Sequence, residues 1–312
     1  MKTQCLLRTI LVAGWLAGGC AETATKTVVA DQLQEKAKLY KTSVKSIVEG
    51  DVKPGQCYKM LTKIKTQWSW KDAVDSANAC MRAKDFQHVE EIGNELAVRE
   101  PAAPWGPYYL GLAARESGNL ERALWMAELA LKRAPEIGVL HYLKAQILWT
   151  KKDYKASVDD FEMAVRFDDE NLPAHLFLGQ VYFRDQDFSR ASKHFYSVLK
   201  IEPRHPIALS GLAESQLHEN NPQGALEAYT RLAEAYPHDG QYLSRMGEIY
   251  ENVMNDVAGA LGVYRQLQAG VHSGMISKNV DSQNDSKIKE LELAMRKSRA
   301  VASTEDKGRG VR

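Results

Sequence analysis

A chain of 312 residues, 44% hydrophobic and 26% charged with only 10 prolines, has the material for one elongated helical domain with an ample core and flanking segments. Its formal net charge of +1 balances 41 basic against 40 acidic residues, with no basic face interleaved with stacking aromatics. That argues against a nucleic-acid partner and equally against a strongly acidic one.

The chain opens with Lys2 and Arg8 ahead of the apolar run LVAGWLAGG, which is too short for a stable bilayer anchor and reads as a secretory signal. The run ends in LAGGC. This resembles the bacterial lipoprotein box, with Ala17 where the commonest pattern has Leu. The resemblance implies cleavage of residues 1–19 and a lipid on Cys20, holding the protein to a membrane without a spanning helix. Ala21, rather than Asp, follows the cysteine, and the resemblance then implies the periplasmic face of the bacterial outer membrane. The plainer alternative is an ordinary secretory signal with an incidental Cys20. Residues 20–56 begin as a Thr-rich tether and become amphipathic from Asp31, with Leu33, Ala37, Tyr40, Val44 and Ile47 on one helical face. Asp31 with Gln34 resembles a capping box and Gly50 a stop. Such a stripe binds a membrane or a partner, or caps the end of its own helical stack.

Two helices are predicted over 57–67 and 70–83, turning at Trp68-Ser69. Cys5 leaves with the signal and Cys20 is taken by lipid, so Cys57 and Cys80 remain as a pair in an oxidising compartment. They lie almost equally far from the turn, and an antiparallel hairpin sets them opposite each other. A disulfide is expected. The alternative is two buried free thiols packed as small apolar groups.

From here the chain repeats. Pro237, Pro203, Asp169, Pro135 and Pro101 follow one another at steps of 34 residues, each closing a second helix. On that phase Leu110-Gly111, Leu178-Gly179, Leu212-Ala213 and Met246-Gly247 fall in register in first helices. In second helices Ala123, Ser157, Ala191, Ala225 and Ala260 are followed four residues on by Ala127, Phe161, Phe195, Tyr229 and Tyr264. A small residue facing a large one at a fixed period resembles the tetratricopeptide repeat family. The resemblance covers five repeats over 104–270, preceded by a degenerate stretch at 57–103 whose last repeat, 70–103, keeps Asp85-Phe86, Leu96 and Pro101. Three departures stand out: Lys144-Ala145 replaces Leu-Gly, Asp169 replaces Pro, and one extra residue precedes Ala260. The implied fold is all-α, a right-handed superhelical solenoid of helical hairpins with flanking helices at both ends. Residues 271–312 are expected to form a polar linker, a capping helix with Ile288, Leu291 and Met295 as its stripe, and ten disordered C-terminal residues.

No catalytic constellation emerges: the eight histidines are scattered, and there is neither a phosphate loop nor a nucleophile elbow. No cofactor or metal is expected, and the chain does not read as an enzyme. The acidic clusters Asp159-Asp160 and Asp168-Asp169-Glu170 are expected to be solvated, and His194 and His218 to face solvent or pack locally. Binding is the better prospect, because first helices of stacked hairpins line a concave surface. On the repeat phase the positions free of hairpin packing are Trp105, Tyr108 and Leu112, then Tyr142, Gln146 and Trp149, then Leu176, Gln180, Phe183 and Arg184. Their counterparts Ser210, Glu214, Ser244, Glu248 and Glu251 are small or acidic. An extended segment or helix with apolar anchors, and basic residues toward the C-terminal repeats, fits that surface. The alternative places some of these aromatics in the hairpin core or beneath the N-terminal helix. Two roles are open, both non-enzymatic: a lipid-anchored periplasmic scaffold for an envelope complex, or a docking regulator of peptidoglycan hydrolases or synthases. The first is similar in layout to the pilotin lipoproteins of type IV pilus systems, which join a lipoprotein box to six such repeats and help a secretin assemble. The helix before Cys57 and the tail after Asp285 depart from that layout.

Overall fold

The computed structural model describes residues 55–277 and 284–309, without the side chains of 298–309. Cys20 and the amphipathic stretch from Asp31 to Ile47 lie outside the described residues. All regular structure among the described residues is helical, and the chain divides into two compact units meeting at Phe167 and Asp168.

The first unit contains α1 (Gln56–Thr66), α2 (Trp70–Arg82), α3 (Phe86–Arg99), α4 (Trp105–Glu116), α5 (Leu120–Arg133), α6 (Gly138–Thr150) and α7 (Tyr154–Phe167). Consecutive helices pack as antiparallel pairs, and α4 also touches α6, the first helix of the next hairpin. Cys57 of α1 and Cys80 of α2 are joined by a disulfide with Cα atoms 5.8 Å apart. Around them Leu61, Ile64, Val74, Ile92, Leu96, Tyr109 and Leu140 form one continuous core from α1 to α6. The second unit contains α8 (Leu172–Arg184), α9 (Phe188–Ile201), α10 (Pro206–His218), α11 (Pro222–Ala235), α12 (Gln241–Glu248), α13 (Val257–His272) and α14 (Asn284–Arg309). Here α8 touches α10, and α14 lays Ile288, Leu291 and Met295 on Ala260, Leu261 and Tyr264.

The six hairpins from α2–α3 to α12–α13 turn in the same way. A residue in the left-handed region is followed at once by an Asp or Asn that caps the second helix: Lys84-Asp85, Gly118-Asn119, Lys152-Asp153, Gln186-Asp187, Asn220-Asn221 and Asn255-Asp256. The capping oxygen accepts a backbone N–H of the first turn, satisfying a donor that has no partner within the helix. Only Gly118 takes the positive φ, 81° there, without steric cost. The other five pay a small strain that the cap and the packed helices override.

The small residues of the first helices act through contact with rings. A Cβ added to Gly179 of α8 would stand 2.7 Å from Phe195, and one added to Gly211 of α10 would stand 2.4 Å from the same ring. Phe195, on α9, is therefore wedged between its own hairpin partner and the next first helix. Gly247 stands in the same relation to Tyr264, at 2.5 Å.

The extra residue before Ala260 has a physical home. After α12 the chain winds one π-helical turn over Ile249–Val253, with Met254 N–H donating to Ile249 O at 3.0 Å. A π turn absorbs one residue without breaking the helix, so Asn255-Asp256 turns one step late and Tyr264 still meets Gly247. At the other end the sequence expectation differs: α14 continues as helix to Arg309, through most of the ten residues expected to be disordered. Its helix-forming Ala, Arg, Lys and Glu residues are compatible with that extension.

Candidate functional site

The first-helix face of the N-terminal unit separates into two parts. Trp105, Tyr108 and Leu112, expected at the surface, are 0%, 6% and 9% exposed. They belong to the core, which corrects their assignment to a binding groove. Trp105 stands edge-on to Trp70 at 6.4 Å and to Tyr108 at 6.0 Å, and Tyr108 packs on Tyr109 at 5.1 Å. The neighbouring hairpin, α2 with α3, departs from the repeat pattern and brings Trp70 to rings that a regular repeat leaves open.

One repeat further on, Tyr142, Gln146 and Trp149 of α6 remain half-buried. Arg115, at the end of α4, donates to the Gln146 side-chain oxygen, and Gln146 Nε2 donates to the Tyr142 hydroxyl at 2.8 Å. Tyr142 meets Phe161 edge-on at 5.6 Å, and Trp149 meets Tyr154 at 4.6 Å. Burial pushes the Tyr142 phenol above its ordinary pKa, against the pull of Arg115. The result is a neutral, pre-ordered face with an apolar ring at each end and an amide between them.

In the C-terminal unit Leu176 and Phe183 are half-buried, while Gln180 and Arg184 are exposed. Phe183 stands edge-on to Phe188 at 5.5 Å and to His218 at 6.0 Å, and Phe188 and His218 stack at 4.1 Å. The acidic end expected here is partly compensated from within. Arg245 donates from Nε and Nη2 to the two oxygens of Glu214, each at 3.0 Å, and from Nη1 to Glu248 at 3.0 Å. Tyr229 donates to the same Glu214 carboxylate. Glu251 accepts from Tyr264 at 3.1 Å and lies 3.8 Å from Lys287 of α14. Burial alone raises the Glu214 carboxyl, but the hydrogen bonds from Arg245 and Tyr229 outweigh it and hold it below the ordinary carboxylate value. A bidentate guanidinium pair is among the stronger polar contacts, so most of the negative charge expected on this face is paired within the protein, with one carboxylate in excess.

A buried ionic cluster escaped the sequence analysis. Asp160, expected to be solvated beside Asp159, is 8% exposed. It lies 2.9 Å from His141 Nδ1 and 2.9 Å from Lys144 Nζ, and His141 Nε2 faces the Pro135 carbonyl at 2.9 Å. Lys144, which replaces the usual Leu, thus has a carboxylate partner built for it. The equivalent pair 34 residues on is His175 with His194, Nδ1 to Nδ1 at 3.0 Å, with His175 Nε2 facing the Asp169 carbonyl at 3.2 Å. Asp169 can stand where Pro135 stands because the position supplies its carbonyl. The signal was available as a polar pair 19 residues apart in two successive repeats. Arg115 with Gln146 and Glu214 with Arg245 share a spacing of 31, another offset that links adjacent first helices. Among the described residues no group of three or more His, Cys, Asp or Glu is placed to hold a metal ion.

The family model described as tetratricopeptide repeat matches residues 108–171 and 176–240. A DnaJ protein P58IPK homolog of Arabidopsis thaliana is 28% identical over 91 residues, 29% of this chain and 19% of that protein. Superkiller complex protein 3 of Homo sapiens is 30% identical over 133 residues, 40% of this chain and 8% of that protein. The matched segments thus span less than a fifth of these relatives. Among solved structures, the C-terminal part of a TPR repeat-containing protein from Cytophaga hutchinsonii aligns with a TM-score of 0.52 at 13% identity, covering 83% of this chain and 98% of that one.

The Asp160 cluster makes a pH prediction. Burial raises its carboxyl, but hydrogen bonds from His141 and Lys144 dominate and hold it below the ordinary value. A depressed carboxylate contributes stability above the unfolded value of about 4 and loses it as pH falls through the lower folded value. Asp160→Ala should therefore cost about 3 kcal/mol at pH 7, where it strands the buried His141 and the half-buried Lys144, and less at an acidic pH below about 4. Urea midpoints at both pH values read the difference; an equal cost at both would show that the charge contributes nothing.

Proposed function

We propose that this tetratricopeptide-repeat protein is a lipid-anchored, non-enzymatic scaffold that assists the assembly or positioning of an envelope complex. Repeats of this kind serve as protein-interaction scaffolds, and the observation that carries the reading is the α6 face. Tyr142, Gln146 and Trp149 keep exposed edges at positions that the small-to-large packing does not use, and Arg115 holds the amide between the two rings in place. Half-buried aromatics in a fixed setting are the residue types that concentrate binding energy. The partner that fits is an extended segment or helix presenting apolar anchors and a group that pairs with the amide. In the C-terminal unit Phe183, Phe188 and His218 offer a second aromatic contact, with Leu176, Gln180 and Arg184 on the same helix as Phe183. Cys20 in the LAGGC box supports the lipid anchor, and the Cys57–Cys80 bond supports an oxidising compartment such as the periplasm. The layout, a lipoprotein box ahead of repeats, favours assembly of a secretin or pilus machine over control of peptidoglycan enzymes; cross-linking in envelope fractions separates the two by which of them is captured.

Tyr142→Ala and Trp149→Ala should each weaken partner affinity by about 2 kcal/mol while leaving the melting midpoint nearly unchanged. Phe195→Ala should do the reverse, losing about 3–5 kcal/mol of stability through its cavity. Titration with the captured partner beside thermal melts reads both. If the α6 variants unfold as readily as Phe195→Ala, those rings are core and the site is elsewhere.

Cys20→Ala tests the anchor independently. Palmitate labelling should disappear and the protein should leave the membrane fraction or stay unprocessed. Unchanged labelling and fractionation would rule out the lipoprotein.

A further inference from the structure

The hydrogen bonds on the α6 face have a direction, and Arg115 sets it. A guanidinium has only donors, so the Gln146 atom that meets Arg115 Nη1 is the side-chain oxygen, and Nε2 is turned to Tyr142. There Nε2 donates to the Tyr142 oxygen at 2.8 Å. The hydroxyl hydrogen points away from Gln146, since the amide nitrogen is no acceptor. Burial pushes the Tyr142 phenol above its ordinary pKa, so that hydrogen stays in place at neutral pH. One hydrogen on Tyr142 Oη and one on Gln146 Nε2 are left without an acceptor among the described residues, on atoms 2.8 Å apart in two half-buried side chains.

Charge points the same way. α6 carries no Asp or Glu, and its Lys144 is held by Asp160. Glu116, the one acid of α4, accepts from Arg115 Nε at 3.0 Å and Nη2 at 2.6 Å. An incoming carboxylate therefore meets two donors and no unpaired like charge on these helices. An ammonium or guanidinium would meet hydrogens, with nothing to accept its own.

We propose that Arg115 fixes the polarity of the α6 face, so that it selects a partner segment placing the side-chain carboxylate of an internal Asp or Glu at Tyr142 and Gln146 and rejects one placing Lys or Arg there. The inference rests on the α6 face being the binding face and adds the chemistry that it reads. Tyr142 and Gln146 make the contact; Arg115 acts through Gln146 and is a positioning residue. Tyr142 and Trp149 are two helical turns apart, about 10 Å along the axis, so apolar anchors about three residues apart in an extended segment reach both rings with the acid between them.

Random short segments displayed inside a phage coat protein, which have no free C-terminus, provide the probe. Those retained by the full-length protein should share an Asp or Glu beside an apolar residue, and a synthetic copy with that acid replaced by Lys should bind about tenfold more weakly or worse. Tyr142→Phe keeps the ring and removes the hydroxyl hydrogen, and Arg115→Met frees the amide to turn over; each should shrink the preference for the acid while the melting midpoint stays put. Gln146→Glu should invert it. A carboxylate at that position accepts from both Arg115 and the Tyr142 hydroxyl and turns lone pairs outward, so the Lys copy should now bind better than the acidic original. A merely structural role for Arg115 and Gln146 would weaken both peptides alike and leave their ratio unchanged. Retained segments that lose affinity for Tyr142→Ala and Trp149→Ala but carry no acid, or a Gln146→Glu protein that still prefers the acid, would overturn this inference and leave the α6 face as the binding face. Segments indifferent to both alanine variants, or none retained at all, would overturn the face and the inference with it.

Discussion

The ring of Phe195 rests against two backbones that have each given up a side chain for it, Gly179 in its own hairpin and Gly211 in the next first helix. That contact sets how closely a first helix approaches the second helix it pairs with and the first helix that follows. Tyr264 against Gly247 repeats the arrangement near the C-terminal end. Once the spacing is fixed in this way, the residues on the free side of each first helix no longer carry the packing, and they become available for contact with something else.

Polar groups inside the stack follow the same geometry. Where Lys144 and Ala145 replace the expected Leu-Gly pair, Asp160 from the second helix and His141 from the first supply a paired cluster in place of apolar contact. A buried charge without such partners costs more than the packing it displaces, so Lys144 and Asp160 make sense only together. On the first-helix face of the C-terminal unit, Arg245 links Glu214 to Glu248 and spans two repeats. The acidic surface expected from residue type becomes a largely paired one, with three carboxylates against Arg245 and Lys287 leaving one negative charge in excess.

The period of 34 was legible because it records a length, and the lengths of helices and turns do not depend on context. The turns were legible as well, since Asp85, Asn119, Asp153, Asp187 and Asn221 keep the same phase and Asp256 falls one residue late, the displacement that the π turn at Ile249–Val253 absorbs. Exposure was harder to read. Trp105 and Tyr108 occupy the phase of open positions, yet they are buried because Trp70 comes from a hairpin outside the regular pattern. Asp160 and Glu214 read as free charge in the sequence because Lys144 and Arg245 lie 16 and 31 residues away, at offsets set by contact between helices and invisible to a count along one helix; Glu248 pairs with Arg245 three residues before it on its own helix.

The claim on which the rest depends is that ring size and first-helix backbone are coupled. A double-mutant cycle with Gly211→Ala and Phe195→Leu measures that coupling directly by urea unfolding. The added methyl should cost about 1–3 kcal/mol against the native ring and clearly less once the ring is replaced by Leu, giving a coupling energy of at least about 1 kcal/mol. Two effects that simply add would contradict the account, because Gly211 would then owe its place to something other than Phe195.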